Sequence, residues 1–506
     1  MDIKVLYDPL YGAIPFKLRT KDFDTFIYDT IPDMNVSEGA ATLIQYGQRF
    51  SLILKTFEFR RLNFLRQSGF AWLIYPSATH TRYAHSLGCW YLAELAAEYT
   101  KVRWINTQKG REIFLINFLE ERDLLEEFLL SLLLHDIGHF PFSHILESNP
   151  RYKNTSHEKL GIQLIRGEGE FFELFKKFAL QNFEDRTSVP DALFLSQALR
   201  EYEKVDLDII CTLISKDLSY IKDKPGNIQE AIPVMLELVS GLIDLDRVDH
   251  YHRDARFMGL GVATVNPVAL LANMLLVYTG SVEPGSCAIH LSDDATMQVF
   301  NLLESRETLR GFIFNNEENV AYSAMLNTAL DILLKDNLHL EKEILIWTDD
   351  YLLNRLASCD NPLVLKLAKR IQNAAPYYFI VRHFVPKRNR NLEWIGDLKE
   401  KQFIPFLNEK EGLNVDEADI LIYTPKGFFA DRRIPSDNWL KFDELYDFQG
   451  EILKRSHQFM RRINYLQDLT KEEEEMSSEV QIFAANPSLQ RALQLYVKTH
   501  EEEVFG

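Results

Sequence analysis

Leu124, Leu125, Phe128, Leu129, Leu132 and Leu133 recur with the period of a helix and lead directly into His135 and Asp136. A helix with so wide an apolar face must be buried against other helices. The core of the chain and a His–Asp pair therefore share one element. Neighbouring helical positions point about 100° apart, which lets an imidazole and a carboxylate chelate one cation between them. Gly138 and Pro141 follow, so the helix is expected to end near that cation, with His139 and His144 on the turn beyond it.

Thirteen histidines are spread along the chain, and eight fall between His80 and His252. They come in pieces: His-Thr-Arg-Tyr-Ala-His at 80–85, Leu-His-Asp-Ile-Gly-His at 134–139, His144, His157, and Asp-Arg-Val-Asp-His-Tyr-His at 246–252. Leu87, Tyr91, Leu95 and Tyr99 recur every four residues after His85 and predict a second buried helix. Read as a helix, Ser240 to Asp254 sets Asp246, His250 and Asp254 on one stripe with Arg247 and Arg253 beside it. Such a face can hold a cation and a polyphosphate together. An Asp/Arg-rich stretch is more often a solvated face laced with ion pairs. Here Val239, Leu242, Ile243 and Leu245 partly bury the helix and weaken that alternative.

The length of 506 residues, 46% of them hydrophobic, suffices for a large core. A net charge of −18 opposes binding to duplex nucleic acid, although Lys387-Arg388-Asn389-Arg390 forms a local basic patch. Small substrates fit the charge better. The opening residues lack the pattern of a signal peptide, and Val268 to Tyr278 is too short to span a bilayer, so a cytoplasmic protein without membrane contact is expected. Cys89, Cys211, Cys287 and Cys359 are far apart, which fits reduced, buried thiols better than disulfides or a thiolate zinc site. Beyond about residue 375, short β-rich runs at Tyr377 to Phe384 and Asp419 to Tyr423 replace the helical pattern. The expected fold is mostly α, a helical core over 1–375 with a smaller α+β C-terminal lobe over 376–506. The acidic run Glu472 to Glu475 reads as a solvated helical face.

His85, His135-Asp136 and Asp246 match, in order and context, the H…HD…D pattern of the HD-domain superfamily of metal-dependent phosphohydrolases. Further segments narrow the resemblance. Asp8 to Gly12, Phe59 to Leu62, Arg66 to Gly69, Pro76 to Gly88, His135 to His144, Ser156 to Glu158 and Asp246 to Asp254 resemble the successive signatures of the deoxynucleoside triphosphate triphosphohydrolases. That family includes the bacterial dGTPases and the sterile-alpha-motif-containing HD enzyme of animals. The similarity covers residues 1 to about 330, and more weakly the rest.

The resemblance implies an HD-domain helical core, with His85, His135, Asp136 and Asp246 holding one divalent ion (Mn, Fe, Zn, Co, Ni or Mg). Two imidazoles and two carboxylates leave open positions on such an ion for water or a phosphoryl oxygen. In the family, water attacks the α-phosphorus and releases a deoxynucleoside and intact triphosphate. By matching position, His157 is the basic imidazole, oriented by Glu147 or Glu158, while His139 and His144 line the scissile ester. Arg82 and Arg247 would neutralise the triphosphate, and Gln67 and Asp254 would contact the sugar. A homo-oligomer is implied as well. For His80, His252, His290, His339, His383, His457 and His500 the expectation is an ordinary hydrogen-bonded core histidine.

Three departures stand out. About 35 residues beyond the usual spacing separate Gly12 from Lys55, Gln67-Ser68-Gly69 replaces Gln-Leu-Gly, and His250 takes the place of a tyrosine beside the deoxyribose. No helical protein-interaction module is expected ahead of Asp8. Two other readings remain open: an HD phosphohydrolase of ribonucleotides, cyclic nucleotides or another phosphoester, and a nucleotide-sensing or nucleic-acid-interacting protein without turnover.

Overall fold

The computed structural model describes residues 5–8, 10, 12–15, 18–20, 23–27, 52–104, 112–147, 149–152, 154–181, 194–200, 205–241, 243–261, 265–278, 286–314, 316–386, 397–410, 412–423 and 477–505. The basic patch at 387–390, the acidic run at 472–475 and most of the segment between Gly12 and Lys55 lie outside them.

The helices that build the site are α1 (Arg82–Tyr99), α2 (Leu125–Leu134), α3 (His157–Arg166), α4 (Leu207–Ser215), α5 (Leu245–Phe257), α6 (Glu317–Asp336) and α7 (Asp349–Ala357). Helix α2 lies at their centre, packed against α1 and α4. Phe128, Leu129, Leu130, Leu132, Leu133 and Leu134 are all buried, so α2 is enclosed well beyond the one face its periodicity predicts. Each such side chain contributes about 1.5–3 kcal/mol relative to exposure. Of the polar members of the helix, Glu127 accepts through Oε1 from Asp206 N at 2.9 Å while its Oε2 is buried with no partner among the described residues, and the Ser131 hydroxyl donates to Phe128 O at 2.7 Å. The expected end of the helix is also observed, with His135 as its C-terminal cap.

The buried helix expected after His85 is observed as α1, with Leu87 and Leu95 buried, Tyr99 exposed at its end, and Cys89, Leu92, Ala93, Ala96 and Ala97 fully buried. Small residues let neighbouring helices close on that side. One sequence expectation needs correction: Ser240 to Asp254 is not one helix. An upstream helix, Ile232–Ser240, stops before Gly241, where a Cβ would come within 2.2 Å of Glu237 O. Asp244 then caps a new start by accepting from Arg247 N at 2.7 Å. The Asp246, His250, Asp254 stripe survives because all three lie within α5.

Among the described residues the strands form small sheets. β1 (Val5–Asp8) pairs with β2 (Gly12–Pro15) through Asp8 opposite Gly12, and β3 (Leu18–Thr20) pairs with β4 (Phe23–Ile27). A four-stranded sheet runs in the order β6 (Glu112–Phe114), β5 (Lys101–Trp104), β7 (Met274–Tyr278), β8 (Cys287–Leu291), with β5 and β7 parallel. The expected β runs near the C-terminus form a three-stranded antiparallel sheet, β10 (Ile420–Tyr423), β11 (Ser477–Ala484), β9 (Tyr378–Pro386). With the helix Pro487–Thr499 against it, this is the smaller α+β lobe. Among the described residues no helix is long and apolar enough to cross a membrane. Cys89, Cys211, Cys287 and Cys359 are all free thiols, and the first three are buried.

Candidate metal centre and the histidines beside it

His85 sits in the first turn of α1, His135 caps α2, and Asp246 lies in the first turn of α5. Packing of the three helices brings the side chains together. His85 Nε2 is 3.3 Å from His135 Nε2, and Asp246 Oδ1 lies 3.0 and 3.7 Å from these two nitrogens. Asp136 Oδ1 is 3.3 Å from His135 Nε2, and its Oδ2 is 3.7 Å from His85 Nε2.

The other nitrogen of each ring is already committed. His85 Nδ1 donates to Asp249 Oδ2 at 2.7 Å, and His135 Nδ1 donates to Leu132 O at 2.7 Å. A ring whose Nδ1 carries the hydrogen offers Nε2 as a lone pair. Two such lone pairs 3.3 Å apart, flanked by two carboxylates, form a donor set that a cation completes. In a cation's place the same field attracts protons: burial pulls His135 down, but Asp136 and Asp246 outweigh it and raise it to about 10. The residues present therefore fit a divalent ion.

Asp249 is itself held by Arg253, whose Nε and guanidinium NH2 bond its two oxygens at 2.8 and 2.9 Å. This pair lies against the backbone of α1 at Gly88, where a Cβ would come within 2.1 Å of Asp249 and 2.3 Å of Arg253. Glycine there sets the α1–α5 approach that places His85. Gly138 does the same on the other side, since a Cβ would lie 2.1 Å from His157 O and 2.2 Å from Gly161 N. That contact seats the turn after His135 on the start of α3.

Asp136 joins the metal centre to a second group. Its Oδ1 is 3.1 Å from His139 Nε2, and its Oδ2 accepts from Arg82 at 2.5 Å. Arg82 is buried and also donates to Ser143 Oγ at 2.8 Å. His139 stacks on His157 with ring centroids 3.9 Å apart and 15° between planes. His139 Nδ1 is buried with no partner among the described residues. Glu147 bridges the remaining pair, with Oε1 2.9 Å from His157 Nδ1 and Oε2 2.8 Å from His144 Nδ1. Burial opposes ionisation of Glu147, but hydrogen bonds from His144 and His157 hold it far below the usual carboxylate range. Glu158 lies farther off, 3.6 Å from His157 Nε2.

A third group surrounds Asp254. Its Oδ1 is 2.6 Å from His80 Nε2, and its Oδ2 accepts from Ser68 Oγ at 2.8 Å and lies 3.1 Å from His250 Nε2. Asp254 is thus paired with histidines, and Arg253 serves Asp249. Gln67 is buried beside them, its backbone N donating to His80 O and its Oε1 without a partner among the described residues. Arg247 stands apart, with its side chain 40% exposed and bonded to Gly241 O and Asp244. Exposure grades across the site. His85 and His139 are 1% exposed, whereas Asp246 at 38% and His144 at 62% mark the side open to solvent.

Several residues in this arrangement carry no motif of their own. Asp249 is visible only as an acid three positions after Asp246. Asp349, at the start of α7, accepts from Arg66 N at 2.7 Å and Phe142 N at 2.8 Å, tying the Gln67 segment to the His144 turn. Phe142 and Ser143 have φ of +52° and +41°, a left-handed backbone that needs such anchoring.

Residues 82–217 match the family model of the HD domain. The match includes His85, His135, Asp136, His139, His144 and His157 and stops before Asp246. The chain is 28% identical over 275 residues to an uncharacterized protein of Mycoplasma genitalium, covering 53% of this chain and 52% of that protein. It is 24% identical over 394 residues to the deoxynucleoside triphosphate triphosphohydrolase SAMHD1 homolog of Dictyostelium discoideum, covering 74% and 64%. It is 26% identical over 225 residues to the deoxynucleoside triphosphate triphosphohydrolase SAMHD1 of Mus musculus, covering 43% and 30%. In each case the match spans less than two thirds of the relative's length.

Proposed function

We propose that the chain, which carries an HD domain and is similar over part of its length to deoxynucleoside triphosphate triphosphohydrolases, hydrolyses deoxynucleoside triphosphates to a deoxynucleoside and inorganic triphosphate. One observation carries the reading: a single carboxylate, Asp136, faces the His85–His135–Asp246 donors on one side and the His139–His157–Glu147 group on the other. Phosphoester hydrolysis needs this adjacency of charge neutralisation and proton transfer.

His85, His135, Asp136 and Asp246 would hold the divalent ion. When bound, the ion supplies positive charge that eases deprotonation of water and offsets charge on a phosphoryl oxygen. Glu147 fixes His157 through Nδ1 and leaves its Nε2 to exchange a proton with water or the departing 5′ oxygen. His144, the most exposed of the group, is set to meet the ester from the solvent side. Arg82 offsets Asp136, and with Arg247 it provides the guanidinium charge that a triphosphate requires. Gln67, His250 and Asp254 offer polar contacts to the sugar. The same reading takes 1–375 as the catalytic core and 376–506 as its lobe, in a cytoplasmic homo-oligomer, which sedimentation of the purified chain and cell fractionation test.

The deciding experiment incubates metal-loaded protein with deoxyribo- and ribonucleoside triphosphates and separates the products by chromatography. Tripolyphosphate with free deoxynucleoside is expected. Initial release of orthophosphate or pyrophosphate, with a phosphorylated nucleoside, would sink the assignment. Turnover of another phosphoester alone would favour the broader HD phosphohydrolase, and binding without turnover a sensor.

A further inference from the structure

Asp349, the first residue of α7, is fully buried and directs one carboxylate oxygen to each of two distant segments, Oδ2 to Arg66 N and Oδ1 to Phe142 N. Both segments lead to Arg82. Around Arg66 the backbone is extended and paired with the entry to α1: Arg66 bridges Thr81, and Arg82 N donates to Leu65 O at 2.9 Å. After Phe142 comes Ser143, whose Oγ accepts from Arg82 Nε at 2.8 Å. One carboxylate thus closes a ring of contacts in which Arg82 is held by its backbone from one arm and by its guanidinium from the other. The free end of that guanidinium meets Asp136 Oδ2 at 2.5 Å.

Asp349 is fixed in turn by Arg61, from the Phe59 to Leu62 segment. Arg61 is buried and donates from Nε to Ile346 O at 3.0 Å and from Nη2 to Leu345 O at 2.9 Å, which pins the backbone entering α7. The strain lies at the opposite end of the ring, in the left-handed Phe142 and Ser143, whose conformation persists only where neighbours over-determine it. Resting on the reading of this site as a nucleoside triphosphate hydrolase, we propose that Asp349 is a positioning residue, setting Arg82 and His144 against the substrate phosphates by fastening the two segments that grip Arg82, one of which runs on into His144. A carboxylate that served the fold alone would leave turnover of the folded enzyme unchanged. One that positions a phosphate clamp alters turnover directly, because a displacement of about 1 Å costs about 10²-fold.

The test measures turnover of deoxynucleoside triphosphates by the metal-loaded full chain, at a temperature where circular dichroism shows each variant folded. Asp349→Asn is nearly isosteric and keeps one acceptor, Asp349→Ala keeps neither, and Asp350→Asn is the control, its 63% exposed carboxylate bonding only the side chain of Arg66 among the hydrogen bonds of this region. Bound metal should be unchanged in all three. Turnover number is expected to fall about 10- to 100-fold in Asp349→Asn, further in Asp349→Ala, and not in Asp350→Asn. Combining Asp349→Asn with Ser143→Ala should cost less than the product of the two separate losses, since both act on the same arm to Arg82. Full turnover in folded Asp349→Asn, or losses that multiply independently with Ser143→Ala, would overturn the proposal while leaving the hydrolase reading intact. Failure of Asp349→Asn to fold would overturn it too, making the carboxylate structural. Wild type that turns over no nucleoside triphosphate would overturn the hydrolase reading and this proposal with it.

Discussion

The histidine pairs on either side of Asp136 differ in electrostatics: both rings of one are raised, whereas the other joins a lowered His139 to a raised His157. His135 and His85 face Asp136, Asp246 and Asp249. Burial opposes their protonation, yet the surrounding carboxylates raise both, His135 to about 10. His139, 3.1 Å from the same Asp136, is driven well below the usual imidazole range by burial, then by Arg82 and His157, which outweigh that carboxylate. One pair sits in a field that favours positive charge. The other contains an imidazole kept neutral, stacked on His157, which burial lowers but Glu147 and Glu158 raise. Residue type alone does not assign these roles; the charges facing each ring do.

The largest expected effects break the cation-holding side. His135→Ala or Asp136→Ala should strip bound transition metal and abolish turnover, while the buried α2 retains its fold. Elemental analysis alongside circular dichroism checks this, and full metal occupancy in both folded variants would remove the pair from the ligand set. On the other side, His157→Ala should keep its metal and lose about 10²–10⁴-fold in kcat, the usual worth of a general acid or base. Metal loss equal to that of His135→Ala would erase the distinction between the two pairs.

A smaller effect is expected at the sugar end. His250 is raised to about 9, because Asp254 outweighs the burial that would lower it, so it is a hydrogen-bonding cation rather than a flat apolar wall. His250→Tyr is expected to raise the ratio of kcat/KM for deoxyribo- over ribonucleotides by about tenfold to two-hundredfold. A strict deoxyribose preference in wild type, unchanged by the substitution, would show that His250 does not gate the sugar.

The smallest effect is on stability against pH, at the Glu147–His157 pair. Glu147 is depressed, so its contribution is present above the ordinary value of 4.5 and is lost as pH falls below it. His157 is raised, so its contribution is present below 6.5 and is lost as pH rises through its elevated value. The pair therefore supports the fold fully only between 4.5 and 6.5. Thermal melts of Glu147→Gln at a series of pH values should show the largest deficit inside that window and convergence with wild type outside it. A deficit that is uniform in pH would mean that packing, not charge, is lost.

What the sequence determined by itself is local. The period of Leu124 to Leu133 specified a buried helix, the adjacency of His135 and Asp136 placed an imidazole and a carboxylate together at its end, and the four-residue spacing of Asp246, His250 and Asp254 specified one stripe of α5. These follow from helical geometry, which repeats over a few residues. The same reasoning placed the β runs near Tyr377 and Asp419 and the turn carrying His139. It misjudged the boundary at Gly241, because a cap depends on one residue's dihedral angles and hydrogen bond rather than on periodicity. Only the tertiary structure decided which partners each side chain meets. Asp249 orients His85 from 164 positions away, Asp254 meets His80 across 174, and Asp349 reaches Phe142 across 207 and Arg66 across 283. The convergence of His85 with His135 and Asp246 is of this kind, as is the lowering of His139 beside a raised His157. Those outcomes depend on how closely α1, α2, α3 and α5 approach. That approach is set by whole helix surfaces packing together, down to the absence of a side chain at Gly88 and Gly138.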